Sequence, residues 1–366
     1  MKRWKSILTV FLCGGILLLL TAVNLVKAPE LYSLSERRAL AQAPTLTADG
    51  LTSGRYMTDF ENSAADQFPL RDRFRHGKAV FSKYVYRQKD SHGLYLLDGH
   101  LSRMEYPLNN ERWEKSLHVL QSVCRQELAG TDCRVYVSLI PDKNTFLAPV
   151  GGYPVLNHRE LTDSLTEALK PAIPIDLTKT LSTDSFYRTD PHWRQEKIPD
   201  TARALAEGMG AEFSDDFTEH TLDHPFYGAY YGQAALNIPP DTIRYLTDEV
   251  SDHALVTSYN TGKPLSASVY DMKKANGRDP YEMFLSGSDA LLTIENPLAP
   301  ETRELVLFRD SFGSSLAPLL LPGYSKITLV DLRYLSGERL SDYITFQEQD
   351  VLFLYSAMVL NSGAIS

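Results

Sequence analysis

The sequence predicts an α/β domain with a largely parallel sheet, set behind an N-terminal apolar helix. From about residue 93 onward, short apolar strand-like runs alternate with amphipathic helical stretches, the pattern of a sheet covered by helices. At the start, an uncharged run of residues 6–26 stands between Lys5 and Lys27. With 43% hydrophobic and 23% charged residues among 366, the chain has the composition of an ordinary folded protein and can bury a sizeable core.

The charge is uneven. Overall, 37 Lys and Arg stand against 46 Asp and Glu, a formal net charge of -9 that excludes the basic surface of a nucleic-acid binder. Residues 1–27 carry four positive charges and no acid, which leaves 33 basic and 46 acidic residues, or -13, on the remainder. A helix over residues 6–26, at about 1.5 Å per residue, spans a hydrocarbon core of about 30 Å. A cleaved secretory signal has a shorter apolar region and a small-x-small cleavage site, and no clear site follows Thr21. An uncleaved signal anchor is therefore expected, with a cleaved signal and a buried core helix as the alternatives. The positive flank keeps the N-terminus cytoplasmic and the body of the chain outside. Val10-Phe11-Leu12 before Cys13 lacks the small residue of a lipidation site.

Residues 28–90 read as a stalk followed by membrane-proximal helices. Tyr56, Phe60 and Ala64 share one helical face, Phe68-Pro69 breaks the pattern, and Phe74, Val80, Phe81 and Tyr84 resume it. The main domain, residues 91–366, opens with a strand and turn at 94–99 and a helix at 110–128, with Leu117, Leu120, Val123 and Cys124 inward. A strand at 134–140 stops at Pro141. Asp142, Lys143 and Asn144 thus lie beyond its carboxyl end, where open α/β sheets bind ligands. Further strands are expected at 173–177, 305–308, 326–330 and 351–355, with helices at 196–209 and 314–321. Residues 215–297 read as an irregular, Tyr- and Gly-rich insertion with short strands, whose aromatics either stack on sugar or pack a loop. Cys124 and Cys133 either close a ten-residue disulfide segment or remain two buried thiols, and neither has a CxxC neighbour.

Two segments carry chemistry. In the segment from Leu305 to Leu316, an apolar strand ends at Phe308, a sharp turn presents Ser311, and a helix follows. Such a hydroxyl stands exposed at a sheet edge, beside backbone N–H groups able to receive developing negative charge. A helix cap would also account for serines here. The second segment is Thr189-Asp190-Pro191-His192-Trp193. Asp190 can accept from one ring nitrogen while the other faces Ser311, the orientation logic of a triad; a capping Asp beside a structural His is the alternative. Asp190, His192 and Asp184 lack a second histidine at ligand spacing, so no metal and no cofactor are expected.

The His-Trp segment resembles the signature of the DHHW family, and the wider pattern is similar to the SGNH-hydrolase-like proteins of bacterial exopolysaccharide (alginate-type) O-acetylation. The resemblance is carried by Leu34-Ser35-Glu36-Arg37-Arg38-Ala39-Leu40, Ser53-Gly54-Arg55-Tyr56, Asp66-Gln67-Phe68-Pro69-Leu70-Arg71-Asp72, Ile140-Pro141-Asp142-Lys143-Asn144, the His-Trp segment, Tyr230-Tyr231-Gly232-Gln233 and Arg309-Asp310-Ser311-Phe312-Gly313. It implies a three-layer α/β/α SGNH-like domain with permuted motif order. In that domain Ser311 is the nucleophile, His192 the base and Asp190 its orienting carboxylate. Pro191 departs from the signature, which has a first His there.

The function implied is an extracytoplasmic O-acyltransferase, of the O-acetyltransferase kind, that modifies an exopolysaccharide or cell-wall glycan through an acyl-serine. The Ser311 and Gly313 N–H groups and Asn361 are the oxyanion-hole candidates; Lys143, Arg309 and Tyr231 are the substrate-binding candidates. An integral-membrane acyl-transfer partner and a polysaccharide substrate are implied with it. The alternatives are a carbohydrate esterase with the same triad and a noncatalytic glycan-binding or assembly factor.

Overall fold

Two compact units share the chain, Met1–Ser91 with Tyr231–Asn237, and His92–Tyr230 with Ile238–Ser366. The structure, a computed structural model, describes residues 2–33 and 35–366. Met1 of the basic flank and Leu34 of the Leu34-to-Leu40 motif lie outside the described residues.

In the first unit, helix α1 (Lys2–Val26) contains one stretch, Trp4–Asn24, with mean hydropathy 2.5 and no buried residue. It is long and apolar enough to cross a membrane, as an anchor or as a signal sequence. Helices α2 (Arg55–Asp66) and α3 (Arg71–Tyr84) follow, separated by a turn in which Leu70 adopts a left-handed φ of 59°. The two membrane-proximal motifs meet here. Asp66 takes a two-pronged hydrogen bond from the Arg38 guanidinium, at 2.7 and 2.6 Å, which holds its carboxyl down to about 2. Gln67 Nε2 donates to the Glu30 and Ala41 carbonyls, and Arg71 pairs with Glu36 at 2.5 Å. Tyr231–Asn237 joins this unit because Arg75 donates to the Gly232 carbonyl at 2.7 Å and the His76 ring meets the Ala235 carbonyl at 2.9 Å. Gly232 permits the approach, since a Cβ there would sit 1.4 Å from the Ser35 carbonyl oxygen.

The second unit is built on an eight-stranded sheet. In chain order the sheet strands and the main helices around them are helix α4 (Asn110–Glu127), strand β1 (Arg134–Ile140), helices α5 (Lys143–Gly151) and α6 (His158–Ala168), strand β2 (Ile173–Pro174) and helix α7 (Pro199–Met209). Then come β3 (Leu255–Ser258), β4 (Leu265–Ala267), β5 (Leu291–Glu295), β6 (Glu304–Arg309), helix α8 (Phe312–Leu320), β7 (Lys326–Val330), β8 (Asp350–Ser356) and helix α9 (Ala357–Ser362). The sheet order is β4-β3-β5-β7-β6-β8-β1-β2. From β7 to β2 all neighbours are parallel, and β5, β3 and β4 extend the edge antiparallel.

Alternation along the strands sends side chains to two helical layers. Leu305, Leu307, Leu352 and Leu354 pack with Ala202 and Leu205 of α7 and Leu316 of α8. Val306, Phe308, Val351 and Phe353 pack with Leu117 and Leu120 of α4 and Leu161 of α6. The expected three-layer α/β/α architecture with a mostly parallel sheet is present.

Two expectations change. The strand expected at 173–177 is short, Ile173–Pro174: the Ile175 N–H still donates to the Val137 carbonyl at 2.9 Å, but the Ile175 carbonyl takes the Ser138 hydroxyl at 2.8 Å in place of a backbone N–H. The insertion is not irregular throughout, since β3, β4 and β5 come from it and lie in the main sheet. Their buried side chains at Val256, Leu292 and Ile294 belong to the same core as β6. Cys124 and Cys133 are both free thiols; burial pushes the Cys124 thiol up to about 11.

Candidate active site

Strand β6 places Ser311 at the carboxyl edge of the parallel sheet, two residues past its end. The turn is held by Asp310, whose Oδ1 accepts from the Phe312 N–H at 3.0 Å and whose Oδ2 accepts from the N–H and hydroxyl of Ser356 at 2.8 and 2.7 Å. Asp310 thereby ties the end of β6 to the end of β8. Gly313 lets α8 begin at once, because a Cβ there would meet the Arg309 Cβ at 2.6 Å.

The Asp190–His192 segment is the tip of a narrow loop. Phe186 and Trp193 form a β-bridge across its base, and the Tyr187 N–H donates to the His192 carbonyl at 3.1 Å. At the tip, the His192 ring meets Asp190 Oδ1 through Nδ1 at 2.6 Å and Ser311 Oγ through Nε2 at 2.7 Å. With Nδ1 donating to the carboxylate, Nε2 is left to accept the serine proton. Asp190 is 1% exposed, whereas the His192 side chain keeps 17% of its surface. The carboxylate is therefore shielded while the ring and hydroxyl remain reachable.

Four further residues hold these three: Asp241, Ala229 and Tyr281, to which the sequence assigns no role, and Ser315, for which it offers only a helix cap. Asp241 accepts from the Arg188 and Thr189 N–H groups, both at 2.8 Å, and from the Thr189 hydroxyl at 2.6 Å. The Ala229 N–H donates to Asp190 Oδ2 at 2.8 Å. Tyr281 stacks on the His192 ring at 4.0 Å and 13°, and its hydroxyl meets Ser315 Oγ at 2.9 Å. Ser315 Oγ also accepts from Trp193 Nε1 at 2.8 Å. Burial pushes the Tyr281 hydroxyl well above the usual tyrosine range, which keeps it neutral beside the ring. For Asp241, Ala229 and Tyr281 the signal available in the sequence was the aromatic and glycine density of the insertion.

Gly228 is the tightest point of this support. A Cβ there would lie 2.3 Å from both Asp190 Cβ and the Thr189 carbonyl oxygen. Gly228→Ala is therefore expected to displace Asp190 on the order of 1 Å and lower turnover by about 10²-fold. Steady-state hydrolysis of an acetyl ester, with circular dichroism to establish folding, checks this; a folded variant with wild-type turnover contradicts it.

Other expected site residues are placed differently. Lys143 is buried, and its ammonium donates to the carbonyls of Leu101, Tyr187 and Asp190 at 2.6, 2.7 and 2.8 Å. It braces the loop through these three backbone carbonyls. Arg309 is fully buried, donates to the Gly287 and Asp289 carbonyls, and lies 3.6 Å from Asp331. Asn361 Oδ1 accepts from the Asn109 N–H at 2.8 Å, capping the entry to α4. The Gly313 N–H donates to the Asp310 carbonyl at 3.1 Å, within the tight turn, whereas the Ser311 N–H donates no hydrogen bond among the described residues. Tyr231 belongs to the first unit. Asp184 pairs with Arg194 and Lys197, apart from the Asp190–His192 pair.

The family model for DHHW proteins matches residues 177–330, which include the loop, the insertion and Ser311. The resemblance to the DHHW family holds. A DHHW family protein from Eubacterium siraeum shares 20% identity at a TM-score of 0.60, covering 75% of this chain and 95% of its own. PatB1 from Bacillus cereus, solved with a sulfonyl adduct, shares 16% identity at a TM-score of 0.57, covering 75% and 96%. The O-acetyltransferase domain of AlgJ from Pseudomonas putida matches at 14% identity and a TM-score of 0.46, covering 74% and 92%. No curated protein matches the sequence. The fold is thus shared with the Eubacterium siraeum DHHW family protein and with PatB1.

Proposed function

We propose that this protein is an extracytoplasmic serine O-acyltransferase that moves an acetyl group onto a hydroxyl of an exopolysaccharide or cell-wall glycan. The observation that carries the reading is the unbroken relay from Asp190 through His192 to Ser311, at 2.6 and 2.7 Å. His192 Nε2 takes the Ser311 proton as Oγ attacks the carbonyl carbon of an acyl donor, and returns it to the leaving group. The acyl-serine is then attacked by a glycan hydroxyl, whose proton passes to the same nitrogen, and Ser311 is regenerated. The Ser311 N–H is the candidate oxyanion donor, supported by its lack of another acceptor among the described residues.

α1 supports a membrane-anchored location, with the catalytic unit outside. There an acyl donor from the cytoplasm has to be handed across, so an integral-membrane acyl-transfer partner belongs to the proposal. The test is mass spectrometry of the full chain after brief exposure to an activated acetyl ester, with and without an oligosaccharide acceptor. An acetyl adduct on Ser311 that is discharged onto sugar is expected. Release of free acetate alone makes the protein an esterase, and no adduct with any activated ester removes the covalent mechanism.

A further inference from the structure

Helix α3 presents an apolar face that the first unit leaves largely exposed, although Phe68 meets the Phe74 ring edge-on at 5.5 Å. None of its residues is buried. Phe74, Phe81 and Val85 are 55%, 49% and 58% exposed, and at 100° per residue they fall with Leu70 in one stripe. Lys78 flanks that stripe on one side and Arg73 on the other, while Arg71 is held by Glu36. The opposite side is spoken for, since Arg75 and His76 hold the Gly232 and Ala235 carbonyls.

Charge identifies the occupant. Residues 71–89 contain seven Lys or Arg and one Asp, in a chain whose formal net charge is -9. An apolar stripe edged by basic side chains is the pattern of a helix lying in the plane of an anionic lipid surface. Position agrees with charge. A cavity of about 910 Å³ is lined by Leu19, Leu20 and Val23 of α1 together with Phe68, Leu70 and Arg73, so the start of α3 lies beside the last turns of the membrane-crossing stretch.

We infer that α3 lies on the outer leaflet, with Phe74 and Phe81 among the acyl chains and Arg73 and Lys78 among anionic headgroups. The inference rests on α1 remaining in the membrane, and is independent of the chemistry at Ser311. A helix seated in this way fixes the first unit at the bilayer surface by two attachments instead of one flexible tether.

The test uses the full chain with its native cysteines replaced by serine, in nanodiscs of phosphatidylcholine with or without phosphatidylglycerol. Nitroxide labels are placed at Phe74→Cys, Phe81→Cys and, on the opposite side of the helix, Asp72→Cys. Intact mass establishes that α1 is retained, which separates failure of the anchor from failure of the inference. With phosphatidylglycerol present, the ratio of oxygen to nickel-chelate accessibility is expected to be several-fold higher at 74 and 81 than at 72. Arg73→Glu with Lys78→Glu is expected to abolish the difference. Equal access of the nickel chelate to all three positions overturns the inference. So does shielding that arises only in native membranes and never in pure lipid, which would assign the face to a protein.

Discussion

Ser311→Ala is expected to lower turnover of an acetyl ester by about 10³–10⁶-fold and to abolish the acetyl adduct, without loss of fold. The structure gives the reason for both halves. Ser311 Oγ is the group within 2.7 Å of His192 Nε2. The turn that carries it is held by Asp310 and Gly313, whose contacts do not involve the hydroxyl. His192→Ala is expected to reach a similar floor, since an unassisted serine hydroxyl is a weak nucleophile at neutral pH. Because the two groups act as a unit, the double variant should be no slower than the slower single variant. Multiplicative losses would mean that serine and histidine contribute separately, and the relay would then not be the catalytic device.

What the sequence made legible at this site was local. The Asp-x-His spacing and the strand–turn–Ser–helix segment each fit within about ten residues, and short-range geometry alone predicts how they present their side chains. The support was not legible, because it joins residues far apart in the chain. Tyr281 reaches His192, Ala229 reaches Asp190 and Asp241 reaches Thr189 from the Tyr- and Gly-rich stretch. The same limit explains Lys143 and Arg309. A charged side chain just beyond a strand end reads as exposed, and only the tertiary structure reveals that carbonyls converge on it from three directions or that a glycine packs over its stem. In the sheet, the parallel core was legible because its strands are continuous apolar runs, as doubly covered strands are. The antiparallel edge was not, because β3 and β4 are short and partly exposed, and polar residues interrupt them.

Lys143→Met is expected to destabilise the second unit by about 1–3 kcal/mol, the usual consequence of leaving buried polar groups without a hydrogen-bond partner. Methionine matches the stem but offers no donor, so the Leu101, Tyr187 and Asp190 carbonyls are left together in a dry site. The pH dependence distinguishes this account from simple loss of packing. Burial pulls the Lys143 ammonium from 10.5 down to about 7. Between those two values the unfolded chain binds a proton that the folded chain does not, so wild-type stability rises with pH across the window, by up to about 1.4 kcal/mol per unit. Below pH 7 both states are protonated and the contribution is level. The methionine variant has no such group and lacks that rise, so the stability difference between the two proteins should widen from pH 6 to pH 9. Urea unfolding of both proteins at several pH values, followed by circular dichroism, reads this directly. A difference that stays constant would show the ammonium remaining charged up to pH 9, held by its three carbonyls. Activity should fall with stability, because the same ammonium anchors the Asp190 carbonyl, and with it the carboxylate that orients His192.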